Sequence, residues 1–338
     1  MNNTVKEVYA DCAASAPILP CARDIFTYWS YANPNSVHTT GRESRIALEQ
    51  VRETIAQYIN AEPSEIAFTP SATAACQFAL NVMNIGVCSD YEHKAVWEHA
   101  RFINIWGLPD PNAYAHMLAN NETGEIYAGK VKELSQKYSV FTDATAAVGQ
   151  IPVDVKDLGV VSLAAGAHKF GGFPGIGFLY LRDGITDEST FPGTPPVALA
   201  VAMASALEYR CLHMTEANTY LMEQTERLAK SIMEIPGASI NTPYKGRLPN
   251  ILSVRFDGVN ARELLSMLDV NGVYASAGSA CTADSDEPSR VLLASGLTEE
   301  QALSTIRLSF CPETTADEFS FVADALRRSV AQLRKLTE

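Results

Sequence analysis

Gly166-Ala167-His168-Lys169-Phe170-Gly171-Gly172 lies between two apolar runs, Leu158 to Ala165 and Ile176 to Leu181, and its reading decides the fold. Both runs read as buried strands. Lys169 between them is badly placed for a solvated charge. If desolvated there, its amine becomes the better nucleophile that Schiff-base chemistry requires. The alternative is an ordinary lysine in a strand-end loop, so the neighbouring stretches have to bear on the choice.

Working upstream, Val140-Phe141-Thr142 reads as a strand ended by Asp143, and a helix over Val131 to Tyr138 precedes it. Tyr114 to Leu118 is a further short strand, ending in Asn120-Asn121-Glu122-Thr123-Gly124. Polar residues at the carboxyl ends of buried strands are where α/β sheets place ligand contacts. His93 opens a helix, which alone is an ordinary surface position. Glu65 to Thr69 reads as a strand that enters a helix through Pro70-Ser71-Ala72-Thr73. Such a junction leaves backbone N–H groups facing outward as a phosphate cradle, or is simply a helix capped by Ser71 or Thr73. Gly41 precedes a helix running to about Asn60. Strands and helices alternating through short turns predict an α/β class with a parallel or mostly parallel sheet. A buried carboxylate at Asp143 needs a partner. Spacing leaves two open: an ion pair with Lys169, or the ring nitrogen of a pyridine cofactor whose imine is carried by the lysine.

Downstream, two helices, Val197 to about Cys211 and about Thr215 to Ile235, lead away from this region. The pattern then changes to strands over Leu248–Phe256, Val273–Ala275 and Thr305–Phe310, with helices over Ala261–Leu268 and Thr315–Leu333. Thr298-x-x-Gln301 and Thr315-x-x-Glu318 are capping boxes marking helix starts. The expected organisation is a large domain over 16–235 and a smaller α+β domain made of 1–15 and 236–338. Within the smaller domain, Ser276 to Ser289 holds nothing apolar larger than alanine or proline except Cys281. It reads as a mobile loop, and a thiol there is reactive rather than structural. Arg307, on the next strand, is suited to clamp a carboxylate bidentately, with a surface salt bridge as the alternative.

Composition narrows the function classes. The 338 residues are 47% hydrophobic, enough for a sizeable core, and the net charge of −13 with no basic run excludes a nucleic-acid footprint. The amino-terminal residues show no apolar leader, and no stretch is long enough for a membrane span. Seven cysteines are scattered without CxxC or CxxH spacing, so no disulfide framework or zinc site is expected and the cytoplasm is the expected compartment.

Taken together these stretches resemble the cysteine desulfurases, a branch of the class V aminotransferases among the fold-type-I pyridoxal-phosphate enzymes. Tyr9-Ala10-Asp11, Asn33-Pro34-Asn35-Ser36-Val37-His38, Phe68-Thr69 with Ala72-Thr73, Glu92-His93-Lys94, Asn120 to Gly124, Asp143-Ala144-Thr145, His168-Lys169, Gly193-Thr194 and Gly278-Ser279-Ala280-Cys281-Thr282 occur in the family's order along nearly the whole chain. The resemblance implies a mostly parallel seven-stranded sheet in the large domain. It implies that Lys169 carries pyridoxal 5'-phosphate covalently, Asp143 pairs with the ring nitrogen, His93 stacks on the ring and Asn121 lies near its oxygen or the substrate. Ser71, Ala72, Thr73 and His168 would hold the phosphate, and Thr194 would reach the phosphate of a second copy in a homodimer. Asn33 and Arg307 would bind L-cysteine. Cys281 would take its sulfur as a persulfide, release alanine, and pass the sulfur to an acceptor protein. Relatives acting on selenocysteine or on other substrates of this class, and a non-catalytic paralogue serving as scaffold, are the alternatives. The sequence departs from the family where Ala146 replaces a glutamine, Gly166 a hydroxyl residue, Ser71 and Ala74 a Gly and a Glu, and Phe191-Pro192 an arginine.

Overall fold

The computed structural model describes residues 6–29, 33–107, 109–183, 194–278 and 287–337. Among these, ten strands occur: β1 Val8–Tyr9, β2 Ile66–Thr69, β3 Ala113–Ala115, β4 Ser139–Asp143, β5 Ser162–Gly166, β6 Gly177–Leu181, β7 Ala238–Ile240, β8 Ile251–Phe256, β9 Val273–Tyr274 and β10 Thr305–Ser309. The chain groups into two compact units. One comprises Ala16–Ala119 and Tyr127–Met214, and the other Met1–Ser15, Asn120–Ile126 and Thr215–Glu338. Compared with the sequence reading, the helix after Thr215 and the short segment 120–126 group with the carboxyl-terminal part.

The first unit is built on a five-stranded sheet in the order β2-β6-β5-β4-β3. β3, β4 and β5 pair in parallel, while β6 is antiparallel to both β5 and β2, so four strands run one way and β6 alone is reversed. Beyond β3, among the described residues, the sheet continues as a single parallel bridge, Cys88 to Ala115. The mostly parallel character expected from the alternation is present. Of the seven strands that the resemblance implies, the described residues show five, with this bridge beside them. The strands are buried on both faces, as their continuous apolar runs require. The helix Ala72–Val82 lays Ala75, Cys76, Ala79 and Leu80 on Phe141, Ala164 and Leu179. Burying each large side chain of this kind stabilises by about 1.5–3 kcal/mol.

Two boundaries differ from the sequence reading for local reasons. Leu158 belongs to a short helix, Val155–Leu158, closed by Gly159 at φ 73°, so β5 starts only at Ser162. Gly41 lies inside the helix Thr39–Ile59, whose N-cap His38 accepts from the Gly41 N–H; a Cβ there would come within 2.3 Å of the Ser36 carbonyl oxygen.

The second unit has a three-stranded antiparallel sheet, β10-β8-β7, and a parallel pair, β1-β9. Leu252, Phe256, Ile306, Leu308, Phe319 and Leu326 form its core with the long helix Ala316–Thr337. Both capping boxes are present, at Thr298–Gln301 and at Thr315–Glu318. No single helix among the described residues is long and apolar enough to cross a membrane.

Candidate active site

In the first unit, one end of the sheet holds Lys169, His168, Asp143, His93 and the helix start at Ser71–Thr73. Lys169 ends a short 3-10 turn, Ala167–Lys169, directly after β5. Gly177, which opens β6, pairs with both Gly166 and Thr69, so the ends of β5 and β2 lie level. Glycine at 177 has a steric cause. A Cβ there would stand 2.5 Å from the Ala165 carbonyl oxygen and 3.1 Å from the Ala72 nitrogen, so its absence lets β6 pass close to the start of the helix Ala72–Val82. Gly166, where the family has a hydroxyl residue, is explained similarly: a Cβ would meet the Ala72 Cβ and His168 Cε1, each at 3.2 Å.

Asp143 closes β4, is buried, and accepts from the Thr145 N–H at 2.9 Å. The Cys76 thiol also donates to it. Burial pushes that thiol up, and the Asp143 and Glu92 carboxylates push it further, so it stays protonated. His93 is the N-cap of the helix Lys94–Trp106, and its Nδ1 accepts from the Ala95 N–H at 3.2 Å. Nδ1 therefore carries no proton, and a neutral ring holds its proton on Nε2. Burial lowers the His93 pKa; the nearby Asp143 charge opposes this and Lys169 reinforces it. Burial, then Lys169, lowers His168 to about 4. Both imidazoles are neutral at pH 7. His93 is thus an electrostatic neighbour of both Asp143 and Lys169, and His168 of Lys169.

The same edge offers an anion cradle. Ser71 caps the helix, its Oγ accepting from the Ala74 N–H at 3.1 Å. The N–H groups of Ala72 and Thr73 are left without a partner among the described residues and stand at the positive end of the helix dipole. Capping and cradle, posed as alternatives by the sequence, coexist because they use different N–H groups. The Thr145 hydroxyl is also buried, with no partner among the described residues.

In the second unit, Arg307 on β10 is 2% exposed. Its Nη1 donates to the carbonyl oxygens of Asn121 at 2.8 Å and Gly278 at 3.1 Å, and its Nη2 donates to Asp11 Oδ1 at 2.6 Å. The surface salt bridge considered for it is replaced by a buried one. Asn121 thus groups with Arg307, and it is its backbone carbonyl that is engaged. Beside it, the buried Glu122 accepts from Ser289 Oγ at 2.6 Å and packs against Gly278, and burial raises its carboxyl pKa. Neither Asp11 nor Glu122 was singled out by the sequence reading. Asp11 stood only inside the Tyr9-Ala10-Asp11 match and Glu122 only inside the Asn120 to Gly124 loop.

Asn33 is exposed and its Oδ1 accepts from the Asn35 N–H at 2.9 Å; Thr194 is exposed in a bend. Neither has a contact with the Lys169 cluster among the described residues. Cys281, and with it most of the segment read as a mobile loop, lies outside the described residues.

The family model for class-V aminotransferases matches residues 8–103, 108–191 and 186–322. This chain belongs to the class-V aminotransferase family. Among class-V relatives, a cysteine desulfurase IscS from Dictyoglomus turgidum is 32% identical, with 98% of this chain and 96% of that one covered. An IscS-like cysteine desulfurase from Mycobacterium tuberculosis is 29% identical, with 97% of each covered. Among solved structures, a NifS-like protein superposes with a TM-score of 0.87 at 27% identity, covering 97% of this chain and all of the other. A structure of SspA in complex with cysteine matches with a TM-score of 0.76 at 27% identity, covering 91% and 99%. The architecture is that of the fold-type-I class-V enzymes, and the Lys169 end of the sheet corresponds to the place where such α/β folds hold ligands.

Proposed function

We propose that this class-V protein is a pyridoxal-phosphate-dependent cysteine desulfurase, converting L-cysteine to L-alanine and leaving the sulfur on Cys281 as a persulfide. The observation that carries the reading is the gathering of Lys169, Asp143, neutral His93 and an open helix N-terminus at one sheet end. The cysteine desulfurase relatives over nearly the whole chain support it.

The residues fit the cofactor. The N–H groups of Ala72 and Thr73 and the buried Thr145 hydroxyl have no partner among the described residues, which suits them to an anionic or hydrogen-bonding group of the cofactor. Lys169 would hold the cofactor covalently, Asp143 would face its ring nitrogen, and His93 would lie on its ring. The Ala72 and Thr73 N–H groups, the Thr73 hydroxyl, Ser71 and His168 would hold its phosphate. When bound, the cofactor supplies an electron sink for bond changes on the amino acid. His168 binds as a neutral donor, so the phosphate's charge is met by the helix end rather than by an imidazolium. His93, with its proton on Nε2, is placed to hold or exchange a proton. Arg307 binds the substrate carboxylate. The Cys281 thiol takes the sulfur atom, so that L-cysteine and the thiol become L-alanine and a persulfide, with atoms and electrons balanced.

In this proposal the persulfide sulfur passes to an acceptor protein. Thr194 reaches the phosphate of a second copy in a homodimer, Asn33 and Asn121 line the substrate side, and the protein works in the cytoplasm, where seven scattered thiols stay reduced. The test is to supply the reconstituted protein with L-cysteine and a reductant and to measure alanine and sulfide. Alanine and sulfide in equal amounts, abolished by Cys281→Ala, are expected. No alanine from the unaltered protein contradicts the function, and equal turnover by Cys281→Ala contradicts the persulfide route.

A further inference from the structure

Arg307 presents an unusual distribution of partners. Its Nη1 is committed to two backbone carbonyls, those of Asn121 and Gly278, and its Nη2 to Asp11 Oδ1 at 2.6 Å. Its Nε–H is buried and has no partner among the described residues. Nε and Nη2 form one edge of the guanidinium fork, the edge that a carboxylate takes with two parallel hydrogen bonds. Asp11 therefore occupies half of a carboxylate-binding edge and leaves the other half open. The arginine side chain is 2% exposed and the aspartate 20%.

We propose that Asp11 is a counter-carboxylate that sets the affinity of the site for its substrate: it neutralises Arg307 in the free protein and gives up its share of the guanidinium edge to the carboxylate of an α-amino acid. The inference deepens the reading of Arg307 as the substrate-carboxylate residue and rests on it. A buried guanidinium without an anion is costly, so the free protein needs Asp11. An incoming carboxylate supplies the same compensation, and two anions on one cation repel. Asp11 is the more solvated of the two side chains and can turn toward water. The Nη1 contacts to Asn121 and Gly278 keep the guanidinium in place while it does. Asp11 thus lowers the affinity for cysteine and for the alanine product alike, which favours release of a product that shares the substrate's carboxylate. It acts through Arg307 and is a positioning residue, not a catalytic one.

The test uses the holoenzyme carrying Asp11→Asn, which keeps the shape and an acceptor oxygen but removes the charge. The KM for L-cysteine is expected to fall about three- to tenfold, the change falling on KM rather than kcat. Without ligand the variant melts below the unaltered protein, and L-alanine raises its melting temperature by more than it raises that of the unaltered protein. Cysteamine, which lacks the carboxylate, shifts both proteins equally. If Asn is not tolerated at this position, the neutral and smaller Asp11→Ser gives the same fall in KM. Arg307→Lys separates the two claims. If it raises KM while the Asp11 variants leave KM unchanged or raised, the counter-carboxylate is overturned and the carboxylate site stands. If Arg307→Lys leaves KM unchanged, both fall.

Discussion

His168 carries a neutral ring because it is desolvated and sits beside Lys169, which together bring it to about 4 from the ordinary 6.5. The consequence for stability follows from proton linkage. Between these two values the unfolded chain binds a proton that the folded chain refuses, so stability is fully present above pH 6.5 and is lost as pH falls toward 4. His168→Gln removes that titration. Its urea midpoint is expected to decline less than that of the unaltered protein over this window, and parallel declines would contradict the assignment. At this same scale, residue types were legible where their chemistry is local. Lys169 declared itself by standing between two continuous apolar runs, and Asp143 by ending a third. Asp11 did not, because the arginine that gives it meaning lies 296 residues away and only the fold brings the two together.

At the scale of the element, the helix Ala72–Val82 performs two tasks at its first turn, a cap by Ser71 and a cradle by the Ala72 and Thr73 N–H groups. Proline at the first helical position removes one of these donors without breaking the helix, and Ser71 is already extended, at φ −168° and ψ 164°, as a residue before proline must be. Ala72→Pro is therefore expected to weaken cofactor retention about ten- to a hundredfold while the apoprotein melts almost unchanged, since one charge-assisted hydrogen bond contributes about 1.5–3 kcal/mol. Retention measured by dialysis and visible absorbance checks this, and full retention would remove the cradle from the site. Element boundaries were less legible than element types. The run from Leu158 to Ala165 reads as one strand because its side chains are all apolar or small. A left-handed Gly159 inside it closes a helical turn first, and periodicity carries no sign of φ.

For the whole molecule, the mostly parallel character of the sheet was readable from alternating strands and helices, whereas the reversal of β6 was not. That reversal follows from the short connection between β5 and β6, which cannot accommodate a parallel crossover. It also fixes where Lys169 falls, at the sheet end shared with Asp143 and the open helix N-terminus. The grouping of 120–126 with the carboxyl-terminal unit was likewise hidden, because it depends on pairings such as Ile126 with Gly246 and Leu248 with Gly124 that are remote in sequence. The central claim, that the whole chain is organised to hold one pyridoxal phosphate on one amine, is tested most directly by intact mass and peptide mapping after borohydride reduction of the reconstituted protein. One reduced pyridoxyl phosphate per chain, mapped to Lys169 and missing from Lys169→Ala, is the expected result; a chain of unchanged mass, or a label on other lysines with Lys169 unmodified, would contradict it.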